Sequence, residues 1–206
     1  MKLLLFSGGV ESTCLALMTR PDIALTIDYG QVCARGEIRA ASHISKVIEL
    51  RHEVVTAPLS HLGAGDMAGA APPEDQDDNN PTEYWPLRNQ LLITLAAMRY
   101  AQDDLREIII GTVLSDRIHN DGAPAFVSAM SETLRSQYPN MSLSAPALDM
   151  TTPELVAQSG ASRDLLGWTF SCHRASFACG LCRGCNKTRE LFANMDERPD
   201  ERIATA

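Results

Sequence analysis

The sequence predicts an α/β fold, an open parallel sheet with helices on both faces, extended by a small C-terminal metal knuckle. Short apolar runs alternate with helix-period segments from the first residues onward, the pattern of consecutive β-α-β crossovers. The runs end in turns rich in glycine or aspartate, where such sheets collect ligand contacts. Four of the six cysteines crowd into residues 172–185. With 206 residues, the chain is long enough to bury one full core. It divides into an α/β unit over residues 1–165 and a C-terminal segment over 166–206 packed on it.

The first strand is Leu3 to Phe6, apolar throughout and therefore buried on both faces. Ser7-Gly8-Gly9 turns the chain, and Glu11-Ser12-Thr13 opens a helix with an apolar stripe through Cys14, Leu15, Leu17 and Met18. Adjacent glycines let the backbone approach a ligand closely. A helix N-terminus adds unpaired amides and a positive dipole end, so this junction is an expected phosphate site. The hydroxyls of Ser7, Ser12 and Thr13 are candidate extra donors. The alternative is a plain strand-to-helix turn; its position after the first strand of an α/β pattern favours the ligand site.

Ile23 to Asp28 reads as the second strand and leads into Asp28-Tyr29-Gly30-Gln31 at the ligand edge. A helix follows from Cys33 to Ile48, with Ile38, Ala41, Ile44, Val47 and Ile48 near a 3.6-residue period. Arg51 to Thr56 is the third strand. Residues 60–84 break the pattern, and Ala71 to Pro81 is acidic and proline-punctuated, a solvated loop or a lid over the site. Tyr84-Trp85-Pro86-Leu87-Arg88-Asn89 then leads into a helix from Gln90 to Gln102. Asn89 can cap that helix with Arg88 at the surface, or both can point into the cleft. Glu107 to Gly111 is the fourth strand, and the polar loop 115–122 after it carries Asp116, His119 and Asp121. A helix over Ala125 to Gln137, a short strand at Met141 to Ser144, and a helix from Thr152 to Ser159 complete the α/β part. The tail from Met195 to Ala206 is charged and expected to fray.

Bulk chemistry narrows the classes. The net charge of −8 argues against a generic nucleic-acid binder, which is usually basic. The sequence opens on a strand rather than a signal peptide, and no apolar run reaches membrane length. These features predict a cytoplasmic protein, in which clustered cysteines are thiols or metal ligands rather than disulfides.

The spacing Cys172-x6-Cys179-x2-Cys182-x2-Cys185 supplies four thiolates, a set suited to tetrahedral Zn²⁺. Glycines at 180 and 184 allow tight turns around such a site. A redox Cys-x-x-Cys pair and an iron–sulfur cluster are the competing readings. Four ligands leave no open position, so a zinc ion here is structural.

Ser7-Gly8-Gly9-x-x-Ser12-Thr13 resembles the phosphate loop of the ATP pyrophosphatase superfamily, with Glu11 standing where that loop carries Asp. Together with Asp28-Tyr29-Gly30-Gln31, Pro86-x-Arg88-Asn89, Gly111 and the four-cysteine tail through Arg189, the whole resembles the 7-cyano-7-deazaguanine synthase (QueC) family, over most of the chain. The resemblance implies an adenine nucleotide alpha hydrolase-like fold and an ATP-dependent ligase. Such an enzyme adenylates the carboxylate of 7-carboxy-7-deazaguanine and aminates it, giving the amide and then the nitrile. Structural Zn²⁺, Mg²⁺ accompanying ATP, ammonia or another amine, and a homodimer are implied with it. It implies nucleotide contacts at Phe6, Ser7, Gly8, Gly9, Glu11, Ser12, Thr13, Tyr29, Gln31, Asn89 and Gly111. Catalytic roles fall to Ser12, Asp28, Arg88 and Asp116, and substrate contacts to Arg88, Asp116, His119 and Asp121. Asp28 is expected near the ribose or the metal, Arg88 on negative charge, and Asp116 or Asp121 on the purine-like edge.

The chain departs from the family pattern in several places. Val32-Cys33-Ala34-Arg35 replaces the usual basic helix start, His119-Asn120 stands for Tyr-Pro, and Ala123-Pro124 for Cys-Arg. Three alternatives follow. One is a defence-associated relative that passes the deazaguanine acyl group to a protein amine such as an N-terminus. The second is a tRNA-modifying ATP pyrophosphatase, and the third a non-catalytic descendant.

Overall fold

A computed structural model describes residues 1–70 and 85–196. The acidic stretch 71–81, with its lid alternative, lies outside the described residues, as does the tail beyond residue 196.

Five parallel strands form one sheet: β1 (Lys2–Leu5), β2 (Ile23–Asp28), β3 (His52–Thr56), β4 (Glu107–Ile109) and β5 (Ser142–Ser144), in the order β3-β2-β1-β4-β5. Strand order therefore reverses between β1 and β4, the switch point at which open α/β sheets leave a crevice. Alternation along the strands feeds two cores. Leu3, Ile23, Leu25, Ile108 and Ile110 pack on one face beneath α3 (Arg88–Tyr100) and α4 (Pro124–Gln137). Leu4, Phe6, Ala24 and Ile109 pack on the other, beneath α1 (Val10–Thr19), α2 (Ala34–Val47), α5 (Thr152–Ser159) and α6 (Arg163–Leu166). Burial on both faces is why these strands read as unbroken apolar runs.

Boundaries move by a residue or two, as helix ends and strand ends do. Two differences matter for the site. The third helix begins at Arg88 rather than Gln90, because Leu87 adopts a left-handed conformation (φ 54°) and bends the chain into it. Arg88 and Asn89 are thus in the first turn, and Leu87, not Asn89, is the cap residue. The second difference is α7 (Arg183–Asp196), a 14-residue helix that runs from the cysteine cluster back over the sheet. Leu191 is buried against the second core, with Phe192 and Met195 packed beside it. Met195 therefore belongs to a packed helix rather than to a frayed tail. The expected start of the helix at α5 stands: Thr151 caps Glu154, whose carboxylate reaches back to the Thr151 amide at 2.8 Å, with Pro153 in the first turn. No helix among the described residues is long and apolar enough to cross a membrane.

Candidate active site

The β1–α1 junction is built by local rules. Gly8 takes φ +72°, which few side chains tolerate, and a Cβ there would come within 2.5 Å of the Ala41 amide nitrogen on α2. Gly9 caps α1, and its N–H donates to Ser7 Oγ at 3.3 Å. Ser12 Oγ donates back to the Gly9 carbonyl at 3.2 Å and lies 3.5 Å from Ser7 Oγ. The turn thus presents two hydroxyls and a helix N-terminus to one place, the arrangement that attracts an anion.

That place is the lip of a cleft of about 290 Å³ at the C-terminal ends of β1, β2 and β4. Of the residues predicted from the sequence, Phe6, Ser7, Gly9, Glu11, Ser12, Tyr29, Arg88, Asn89, Gly111, Asp116, His119 and Asp121 all line it. Four others do not. Gly8 shapes the turn from behind. Thr13, on the next helical position after Ser12, is rotated onto the core face and fully buried. Asp28 accepts the Gly30 amide at 3.0 Å, closing its own turn. Gln31 is buried and braces the same turn, accepting from the Tyr29 amide at 2.9 Å and donating to the Ile27 carbonyl at 3.1 Å. Asp28 and Gln31 thus build the turn after β2 that places Tyr29 in the cleft wall.

The inner end of the cleft holds a carboxylate that sequence reasoning passed over. Glu37 on α2 accepts from Gln31 Nε2 at 2.8 Å and from the Cys33 thiol at 3.6 Å. Burial pushes its pKa up, against the pull of those donors. Burial also drives the Cys33 and Tyr29 pKa values upward. Arg88 faces this group, with Nη1 3.0 Å from Met67 Sδ. Burial opposes the guanidinium charge, but Tyr29, Asp121, Glu37 and Asp116 together outweigh it, so the Arg88 pKa rises. An acid on the buried stripe of α2, one turn after Cys33 and before Ala40 and Ala41, was the available signal.

The loop after β4 is held by its acids. Asp116 accepts the Val113 amide at 3.1 Å. Asp121 accepts the Asn89 amide at 3.3 Å, while Asn89 Nδ2 donates to the Asp121 carbonyl at 2.9 Å. This pairing ties the start of α3 to the loop and turns both toward the cleft. Asp121 Oδ2 is thereby engaged with the Asn89 amide.

The outer wall comes from the C-terminal segment. The Phe170 amide donates to the Gly8 carbonyl at 2.9 Å. Arg183 Nη1 lies 3.3 Å from His119 Nε2, and Lys187 Nζ lies 2.6 Å from Glu11 Oε1. Glu11 Oε1 also accepts from Thr152 Oγ1 at 2.9 Å. Neither Arg183 nor Lys187 stood out in the sequence. Their signal was a pair of cations on a helix that begins inside the cysteine cluster.

The four cysteine sulfurs all lie within 4.8 Å of one another, with Cys179–Cys185 at 3.9 Å and Cys172–Cys182 at 4.0 Å. Zinc–thiolate bonds of about 2.3 Å in a tetrahedron place sulfurs roughly 3.8 Å apart, so the donor set fits Zn²⁺. The Leu181 and Cys182 amides pointing at its sulfur lower the Cys179 pKa to about 6, favouring the thiolate a metal requires. A Cβ on Gly184 would overlap the Ser171 carbonyl, which accounts for a glycine beside Cys185.

The comparisons with known proteins agree with this geometry. The family model for "Queuosine biosynthesis protein QueC" matches residues 1–196. A "7-cyano-7-deazaguanine synthase 1" of Desulfitobacterium hafniense is 30% identical over 205 residues, covering 95% of this chain and 92% of its own. The "7-cyano-7-deazaguanine synthase" of Desulforudis audaxviator is 31% identical, covering 90% and 93%, and that of Pseudomonas aeruginosa 27%, covering 92% of each. The fold, the site and these relatives together show that the chain belongs to the QueC family.

Proposed function

We propose that this protein is an ATP-dependent carbon–nitrogen ligase acting on 7-carboxy-7-deazaguanine. The observation that carries the reading is the Ser7–Ser12 turn at the strand-order switch point, opening on the same cleft as Arg88. Relatives named 7-cyano-7-deazaguanine synthase supply the substrate class. In this reading residues 1–165 form the catalytic unit, and residues 166–206 a zinc-closed segment attached to it.

A carboxylate is a poor electrophile, and transfer of AMP to it supplies a leaving group. A substrate carboxylate oxygen attacks the α-phosphorus of ATP, and the α–β P–O bond breaks to release pyrophosphate. The Gly9 amide region, Ser7 and Ser12 hold the β- and γ-phosphates, where donors fixed in advance stabilise the departing charge. Mg²⁺, when bound, neutralises charge on the leaving pyrophosphate. Arg88 holds the substrate carboxylate in line, through charge-assisted hydrogen bonds. Ammonia then attacks the acyl carbon and displaces AMP, giving the amide. A second ATP activates the amide oxygen, whose departure with AMP leaves the nitrile. Asp116 and His119, on the loop above Arg88, contact the base of the substrate. Asp121 contributes by fixing Asn89. The four thiolates hold Zn²⁺ with no position open for chemistry, so its part is structural.

The test is ATP–pyrophosphate exchange dependent on 7-carboxy-7-deazaguanine, followed by mass analysis of the product. Exchange is expected. Its absence from folded, zinc-loaded protein would overturn the reading in favour of a non-catalytic descendant. The product mass separates amide, nitrile and protein conjugate.

A further inference from the structure

The phosphate turn has no cation of its own. Residues 7–13 contain no lysine or arginine, and Glu11 adds a negative charge to the first turn of α1. A triphosphate entering there meets repulsion unless a positive group answers it. The cleft offers Arg88, Arg183 and Lys187. Arg88 is engaged at the inner end beside Met67, and Arg183 leans on His119 and the Ser115 carbonyl. Lys187 contacts the phosphate turn, at 2.6 Å from Glu11 Oε1, and lies 3.9 Å from Asp116 Oδ1.

Its setting is unusual for a lysine. Lys187 sits one turn before Leu191, so it shares the inward face of α7. Its side chain is 34% exposed and meets a Glu11 side chain that is 18% exposed. An inward lysine on the core-facing stripe is not a solvated surface charge. The stem is flexible and the ammonium is a compact point charge, which suits exchange between a carboxylate and a phosphate oxygen.

We propose that Lys187 is the triphosphate-binding cation of this site, held on Glu11 until nucleotide arrives and then transferred to the β,γ-phosphates. Placing it is a second role for the cysteine cluster. Lys187 follows Cys185 by two residues, so closing the cluster on a metal sets where the ammonium lies. The inference rests on the reading of the cleft as an ATP site.

Calorimetric titration of the full zinc-loaded chain with pyrophosphate, ATP and AMP, each with Mg²⁺, tests it. Lys187→Ala is expected to weaken pyrophosphate and ATP at least tenfold while leaving AMP within twofold. Lys187→Arg should recover most of the loss, and Lys46→Ala, at the far end of α2, should change nothing. Lys187→Met keeps the apolar stem and stands in if the alanine variant loses zinc or helicity. Wild-type pyrophosphate affinity in a folded, zinc-loaded Lys187→Ala or Lys187→Met protein would overturn the proposal. So would an equal loss for AMP, which would mark a general structural effect. A wild-type chain that binds neither ATP nor pyrophosphate would instead sink the underlying ATP reading, and this inference with it.

Discussion

The two ends of the described chain build the same cleft by opposite means. The amino-terminal turn is made by neighbours in sequence. Within seven residues a strand ends, two glycines reverse the chain and a serine closes back on Gly9. Both of its flanks, Phe6 and Val10, are buried in the core. The C-terminal segment is made by distant contacts. Phe170 reaches Gly8 and Lys187 reaches Glu11 across most of the sequence, and Arg183 reaches His119 across 64 positions. Beyond its buried Cys172, Cys182 and Leu191, it leaves Trp168, Phe177 and Leu181 at 57%, 73% and 77% exposure. A segment of that kind needs a cross-link, and four clustered cysteines are a donor set suited to supply one through a metal. The amino-terminal turn supplies dipoles and hydroxyls, and the C-terminal segment supplies charge. Each contribution is therefore expected to be separable from the other by substitution.

That independence sets the predictions. The largest effect is expected for Cys182→Ser. Metal analysis should find zinc lost, and hydrogen exchange should find residues 172–196 unprotected while the strands keep their protection. Retention of one zinc per chain would contradict the four-thiolate assignment. Next is Gly8→Ala, which places a Cβ against Ala41 in a left-handed backbone. A loss of about 1–3 kcal/mol by chemical denaturation is expected, with zinc content unchanged. Ser12→Ala reverses that pattern. ATP turnover should fall about tenfold, roughly 1.4 kcal/mol in the transition state, with little change in melting temperature. A large drop in melting temperature instead would make the hydroxyl a structural bond to Gly9.

A smaller and pH-dependent effect is expected at Glu37. Burial favours its protonated form, so above its ordinary value of 4.5 the folded chain holds a proton that the unfolded chain releases. Stability contributed by this site is therefore greatest at acid pH and declines as pH rises through the raised folded-state value. Glu37→Gln should flatten that decline, and a stability–pH profile unaltered by the substitution would remove Glu37 from the account. The smallest effect is at Thr151→Ala, about 1 kcal/mol for the lost α5 cap, with no change in nucleotide binding.

These contrasts also explain what could be read before any coordinates. The strands from Leu3 to Ser144, the Ser-Gly-Gly turn and the cysteine spacing were legible because each is a local pattern with one physical cause. Asp28 and Gln31 also brace a turn, and in one dimension a polar side chain that braces a turn looks like one that meets a ligand. Helix α7 was missed because its apolar positions are few, and Lys187 and Arg183 resemble ordinary surface charges.

By itself the sequence determined the strands, the Ser-Gly-Gly turn and the four-cysteine cluster, since hydrophobic period, backbone freedom and cysteine spacing act over a few residues. Only the tertiary structure decided which charges meet. Glu11 with Lys187, and Glu37 opposite Arg88, are joined by the packing of helices whose separation along the chain carries no trace of their distance in space.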